Sequence, residues 1–200
     1  MKTISRVYDS YAQARAAVAD LVTAGIGTDD ISVVANKHVS AEYAGVEDIS
    51  EVSVDAAKGA GIGGAIGGGA GLLAGIGLLV IPGLGPVVAA GWLAATAVGV
   101  AAGAATGGIV GALVGAGIDR DHAEVYSESI RRGSTLVTAR VLDEEAAGIE
   151  RILGSHRPVD PAVRAADYAK EGWTKFDPEA PAYRPNQAEV DRMRENWPAS

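Results

Sequence analysis

The residue types best able to do chemistry are few, and none falls into a working pattern. Three histidines, His38, His122 and His156, could move a proton or bind a metal near neutral pH. No two stand at the short spacing of a ligand pair, and the chain has no cysteine, so thiolate ligands, disulfides and thiol nucleophiles are excluded. Ser127, Ser129 and Ser134 lie near His122, but no GxSxG surrounds them. "GAGIGG" (59–64) has the GxGxxG spacing of a dinucleotide loop. That loop needs an apolar strand before it and an acidic residue about 20 positions on, and here "SVDAAK" precedes it and "LLVIPG" follows. The acidic runs "EDISEVSVD" (47–55) and "DEE" (143–145) read as solvated charge. Arg131 and Arg132 suit a helix C-terminus before any ligand. No catalytic, cofactor-binding or metal-binding residue is assigned, no cofactor is expected, and the chain is expected not to be an enzyme.

Charge is spread thinly. Lys and Arg against Asp and Glu number five and nine in 1–58, five and eight in 119–156, and seven and eight in 157–200, which accounts for the net charge of −8. Without a basic patch, binding to nucleic acid is not expected. "MKTISRVYDS" has no apolar run of the kind a secretory signal carries, so the cytoplasm, or a membrane reached from it, is the expected location.

The elements around these residues fall into three parts. Residues 59–118 contain no Asp, Glu, Lys, Arg or His, and 20 of these 60 residues are glycine. Gly59, Gly63, Gly67, Gly71 and Gly75 stand four apart, as do Gly99, Gly103, Gly107, Gly111 and Gly115. On helices each series would form a ridge without side chains, along which another helix can pack closely. "IPGLGP" (81–86), with Pro82, Gly83, Gly85 and Pro86, breaks helix between them. The expectation is an apolar glycine-zipper helical hairpin over 57–118, with helices near 57–80 and 87–117 that are each long enough for a hydrocarbon core of about 30 Å. The two glycine series are seven residues out of register across that turn, about 10 Å, so at least one is expected to pair with another subunit.

The flanks predict an α+β head, 1–56 and 119–160, into which the hairpin is inserted. "TISRVY", "ISVVA" and "STLVTARV" read as strands. Ser10 with Gln13 marks a helix start, Gly25 its stop, and a second helix spans about 121–132. Asp143 is expected to cap a third helix that Gly154 ends, and "RPVD" (157–160) offers a short last strand. Two βαβ halves of this kind make a split ferredoxin-like sheet of four strands with helices on one face. Residues 161–200 hold five of the eight prolines and read as an extended or helical arm, with Trp173, Phe176, Tyr183 and Trp197 as anchors.

"SRVYDSYAQARAAVADLVTAGIGTDDISVVAN", "IPGLGPVVAAG", "RRGSTLVTARV" and "EGWTKFDPEAPAYRPNQAE" together resemble the YflT-like general stress protein family of bacteria, from about 3 to 190. The resemblance implies a stress-associated protein with an α/β head and a glycine-zipper hairpin, and brings no catalytic residues. The combined expectation is a self-assembling protein, its own partner, anchored in the cytoplasmic membrane by the hairpin with the head in the cytoplasm. The alternatives are a soluble higher-order homo-oligomer with buried hairpins, or a ligand-sensing head that the hairpin localises.

Overall fold

A computed structural model describes residues 1–36, 77–81, 85–92 and 108–180. These residues form an α+β fold. The strands β1 (Lys2–Tyr8), β2 (Ile31–Asn36), β3 (Gly77–Ile81), β4 (Gly85–Ala90) and β5 (Thr135–Val141) make one sheet in the order β1-β5-β2-β4-β3. Every neighbouring pair is antiparallel. The helices are α1 (Tyr11–Thr23), α2 (Gly108–Gly115), α3 (Arg120–Arg131), α4 (Ala146–Ser155) and α5 (Pro161–Lys170).

β5 lies between β1 and β2, so the βαβ unit β1-α1-β2 is split by a strand from more than 90 residues downstream. The 157–160 segment follows β1's outer side: the Val159 N–H donates to the Val7 carbonyl at 2.7 Å. Strand alternation then sends neighbouring residues to opposite faces. Ile4, Tyr8, Ile31, Val33, Val137 and Ala139 pack under α1 and α4, against Ala17, Leu21, Ile149 and Leu153. Val7, Val34 and Leu136 turn the other way, against Ile109 and Leu113 of α2, Ala123, Tyr126 and Ile130 of α3, and Phe176. The expected single helical layer is therefore corrected to one on each face. The sheet presents apolar residues on both sides, and each side needs cover.

The largest departure lies in the apolar block. Residues 77–81 and 85–90 are antiparallel strands, with Gly77 opposite Ala89 and Ile81 opposite Gly85, where helix ends were expected. β4 then adds to β2, with Val33 opposite Ala90 and Asn36 opposite Val87. The local chemistry explains this: "LLVI" and "VV" favour strand, and glycine and proline between them favour a turn. Gly91 ends β4 at φ 87°, tight against β2, where a Cβ would stand 2.1 Å from the Ile31 carbonyl oxygen. The block's far end is helical, but α2 lies on the head's core, with Ile109 and Leu113 fully buried.

Helix ends also differ in detail. Ser10 sits at the N-cap of α1 without a side-chain bond, and α4 starts after Glu145 rather than Asp143. Gly154 does not stop α4, which runs on to Ser155. The expected glycine stop holds at Gly25, φ 94°. α3 starts on Asp119, whose carboxylate accepts from the Asp121 and His122 N–H groups.

Candidate functional site

Two polar assemblies stand out, one at the outer edge of β1 and one where α3 meets α5. At the β1 edge an open cleft of about 140 Å³ is lined by Thr3–Arg6, Asp119, His122, Tyr126 and Glu150. Arg6 folds back around the strand, and its Nη1 donates to the Ser5 carbonyl at 2.8 Å. The Tyr126 hydroxyl reaches the same oxygen at 3.4 Å. Burial pushes the Tyr126 phenol above its ordinary pKa, against an opposing pull from the Arg6 guanidinium. Lys2 pairs with Glu150 at 2.8 Å and holds that carboxyl below its usual range. The charged groups of this cleft are turned onto the protein's own atoms and each other.

The second assembly is a clasp. Glu128, 1 % exposed, accepts from Arg131 Nε at 2.8 Å and from Arg132 Nε at 2.6 Å. Arg132 also pairs with Glu171, just past α5, and its guanidinium lies 4.1 Å from the centre of the Tyr168 ring. The Tyr168 hydroxyl bonds to Ser129 Oγ at 3.2 Å. Arg164 pairs with Asp9, whose other oxygen takes the Ser134 hydroxyl at 2.9 Å. Arg131, Arg132 and Arg164 therefore face Glu128, Glu171 and Asp9, and the clasp fastens α5 to α3 and to the end of β1. Asn36, wholly buried, donates to the Arg131 carbonyl at 3.1 Å and ties in β2.

The positions singled out from sequence are scattered. Gly59, Gly63, Gly67, Gly71, Gly75, Gly99, Gly103 and Gly107 lie outside the described residues, as do Pro82, Gly83, Tyr183 and Trp197. Gly85 and Pro86 open β4. Gly111 and Gly115 are on α2, and a Cβ at either would meet nothing within 4 Å, so the described residues press nothing against them. Phe176 anchors the arm in the core at 6 % exposure. Trp173 meets the Tyr168 ring edge-on at 5.7 Å.

The clasp is what sequence reasoning missed. Its signal was Asp160-Pro161, a capping residue and an N1 proline that open α5. The Asp160 carboxylate accepts from the Ala162 and Val163 N–H groups. Among the described residues, no group of three or more His, Asp or Glu is placed to hold a metal ion. No described helix is long and apolar enough to cross a membrane.

No curated protein and no solved structure matches the chain. A family model does match over residues 3–74, the span that holds β1, α1 and β2. "IPGLGPVVAAG" and "RRGSTLVTARV" lie beyond it. Residues 3–74 match the heat induced stress protein YflT domain, which supports the resemblance to the YflT-like general stress proteins over that segment.

Proposed function

We propose that this chain is a non-enzymatic, self-assembling, stress-associated protein with a ferredoxin-like head. The order 157–160, β1, β5, β2, with β5 antiparallel to both neighbours, supports the ferredoxin-like reading. The added layer of α2 and α3, and the extension by β4 and β3, make it an elaborated form. The family match carries the stress association.

One observation carries self-assembly: the charge-free block enters the head's own sheet and places an apolar strand, β3, at its margin. An apolar edge strand is a template for pairing with another strand. Sedimentation velocity of the full chain tests the reading. A mass that is a multiple of 20.2 kDa is expected, and a monomer at all concentrations would sink it. The glycine ridges are proposed to contribute, so Gly67→Leu with Gly107→Leu is expected to reduce the particle while the head stays folded.

A second reading is membrane association, with the head in the cytoplasm. It is favoured by the 60-residue run without an ionisable side chain. Density-gradient flotation with lipid, then an alkaline carbonate wash, separates the two. Material that floats and resists the wash supports the membrane, and large particles left in the soluble fraction support assembly alone. A ligand-sensing head has less support, since Arg6, Tyr126 and Glu150 of the β1 cleft are engaged internally.

A further inference from the structure

The two margins of the sheet are built differently. At β1 the Ser5 carbonyl is occupied by Arg6 and Tyr126, the Val7 carbonyl takes the Val159 N–H, and Lys2 and Arg6 carry charge along the strand. These are the devices that keep an edge from pairing with another chain. Among the described residues β3 has none of them. Gly77-Leu78-Leu79-Val80-Ile81 contains no charge and no proline, and among the described residues it pairs only with β4.

We infer that two copies of this chain join through the outer edge of β3, antiparallel, with Leu79 of one facing Leu79 of the other. The inference rests on the self-assembly reading and names its surface. Pro86 fixes which backbone groups of β3 face outward. It stands opposite Val80 and has no N–H, so that pair is the kind without hydrogen bonds. Alternation then directs the backbone groups of Gly77, Leu79 and Ile81 onto β4, and those of Leu78 and Val80 outward. A two-fold axis through Leu79, the middle residue of β3, overlaps all five residues and lets Leu78 exchange N–H and C=O with Val80 of the second copy, and the reverse. The two five-stranded sheets become one of ten strands. The occupant is a second copy because this arrangement is self-complementary, and because neither strand brings a like charge to oppose it.

The test uses the full chain and two paired variants. Leu78→Lys with Val80→Lys sets like charges opposite each other across the axis, while Leu78→Lys with Val80→Glu sets opposite charges. Sedimentation is expected to show association weakened at least tenfold in the first and retained in the second. Equal association of the first variant and the parent overturns the edge and leaves the assembly reading standing. A monomeric parent overturns both. Equal loss in the two variants overturns the register. Should these substitutions unfold the head, single cysteines serve, since the chain has none. Leu79→Cys is expected to give a disulfide-linked dimer at least tenfold faster than Leu78→Cys, because facing residues of a non-hydrogen-bonded pair are closest. No preference for position 79 overturns the inference.

Discussion

The guanidinium of Arg132 lies 4.1 Å from the centre of the Tyr168 ring while pairing with Glu128 on its own helix and Glu171 beyond α5. One cation thus joins two helices through a ring face and two carboxylates. Glu128 is the buried member, its side chain 2 % exposed. Removing it leaves two arginines facing each other without their shared counter-charge. Glu128→Ala is expected to destabilise the fold by about 3 kcal/mol, measured by urea unfolding, since breaking one side of a buried pair leaves uncompensated charge. A loss under about 1 kcal/mol, the level of an exposed pair, would show that the clasp is not holding α5 in place.

Gly91 and Gly25 share a positive φ but not a neighbourhood. A Cβ at Gly91 would stand 2.1 Å from the Ile31 oxygen and 2.8 Å from the Ser32 Cα, both backbone atoms of β2, whereas one at Gly25 meets nothing within 4 Å. Gly25→Ala is expected to cost about 1 kcal/mol from backbone strain alone, and Gly91→Ala at least about 3 kcal/mol. Thermal unfolding of the two variants compares them. Equal losses would mean that β4 does not lie against β2 as described.

Tyr8 is wholly buried and donates its hydroxyl hydrogen to the Leu153 carbonyl at 2.8 Å. Burial raises its pKa above the ordinary 10.0, against the Arg6 charge, and burial raises Tyr126 likewise. A neutral acid whose pKa is higher folded than unfolded stabilises fully below the unfolded value, and that stability is lost as pH rises through the folded value. The head is therefore expected to weaken above about pH 10, where unfolded tyrosine ionises. Tyr8→Phe is expected to lower stability at pH 7 by about 1 kcal/mol through the lost hydrogen bond, and to flatten the alkaline decline. A decline of unchanged steepness in that variant would assign it to other groups.

Phe176 reaches the core from beyond α5 and rests at 6 % exposure in the cluster with Val7, Leu136 and Ile130. Phe176→Ala is expected to destabilise by about 3 kcal/mol, as large-to-small changes in cores do. Hydrogen exchange should show faster opening of α5 than of β5. Unchanged protection of α5 would separate the arm from the clasp.

The parts of this fold that sequence could reveal are those with a local period. β1, β2 and β5 follow β-branched runs, and α3 and α4 follow apolar spacing with charges between. The four-residue glycine period misled at 77–90. It describes where glycines stand, while "LLVI" and "VV" flanking a Gly/Pro turn describe what the backbone prefers. The second helical layer was illegible for another reason: Ile109 and Leu113 look the same whether they meet lipid, another subunit or a sheet. Of the clasp, Glu128, Arg131 and Arg132 are close in sequence, but Arg164 and Asp9 are 155 positions apart, and no local pattern links them.

The position of β5 has a consequence for how this chain comes into being. Lys2 waits for Val141 and Ile31 for Ala139, so the strand that lies between β1 and β2 is made long after both. At about 5–20 residues per second, β2 precedes β5 by roughly 5–20 s, and in that interval the whole charge-free stretch emerges with no completed sheet to receive it. Contacts so distant in sequence make refolding slow. Heat that unfolds this protein therefore releases the charge-free stretch again, and refolding must bring β5 back between β1 and β2 across that distance.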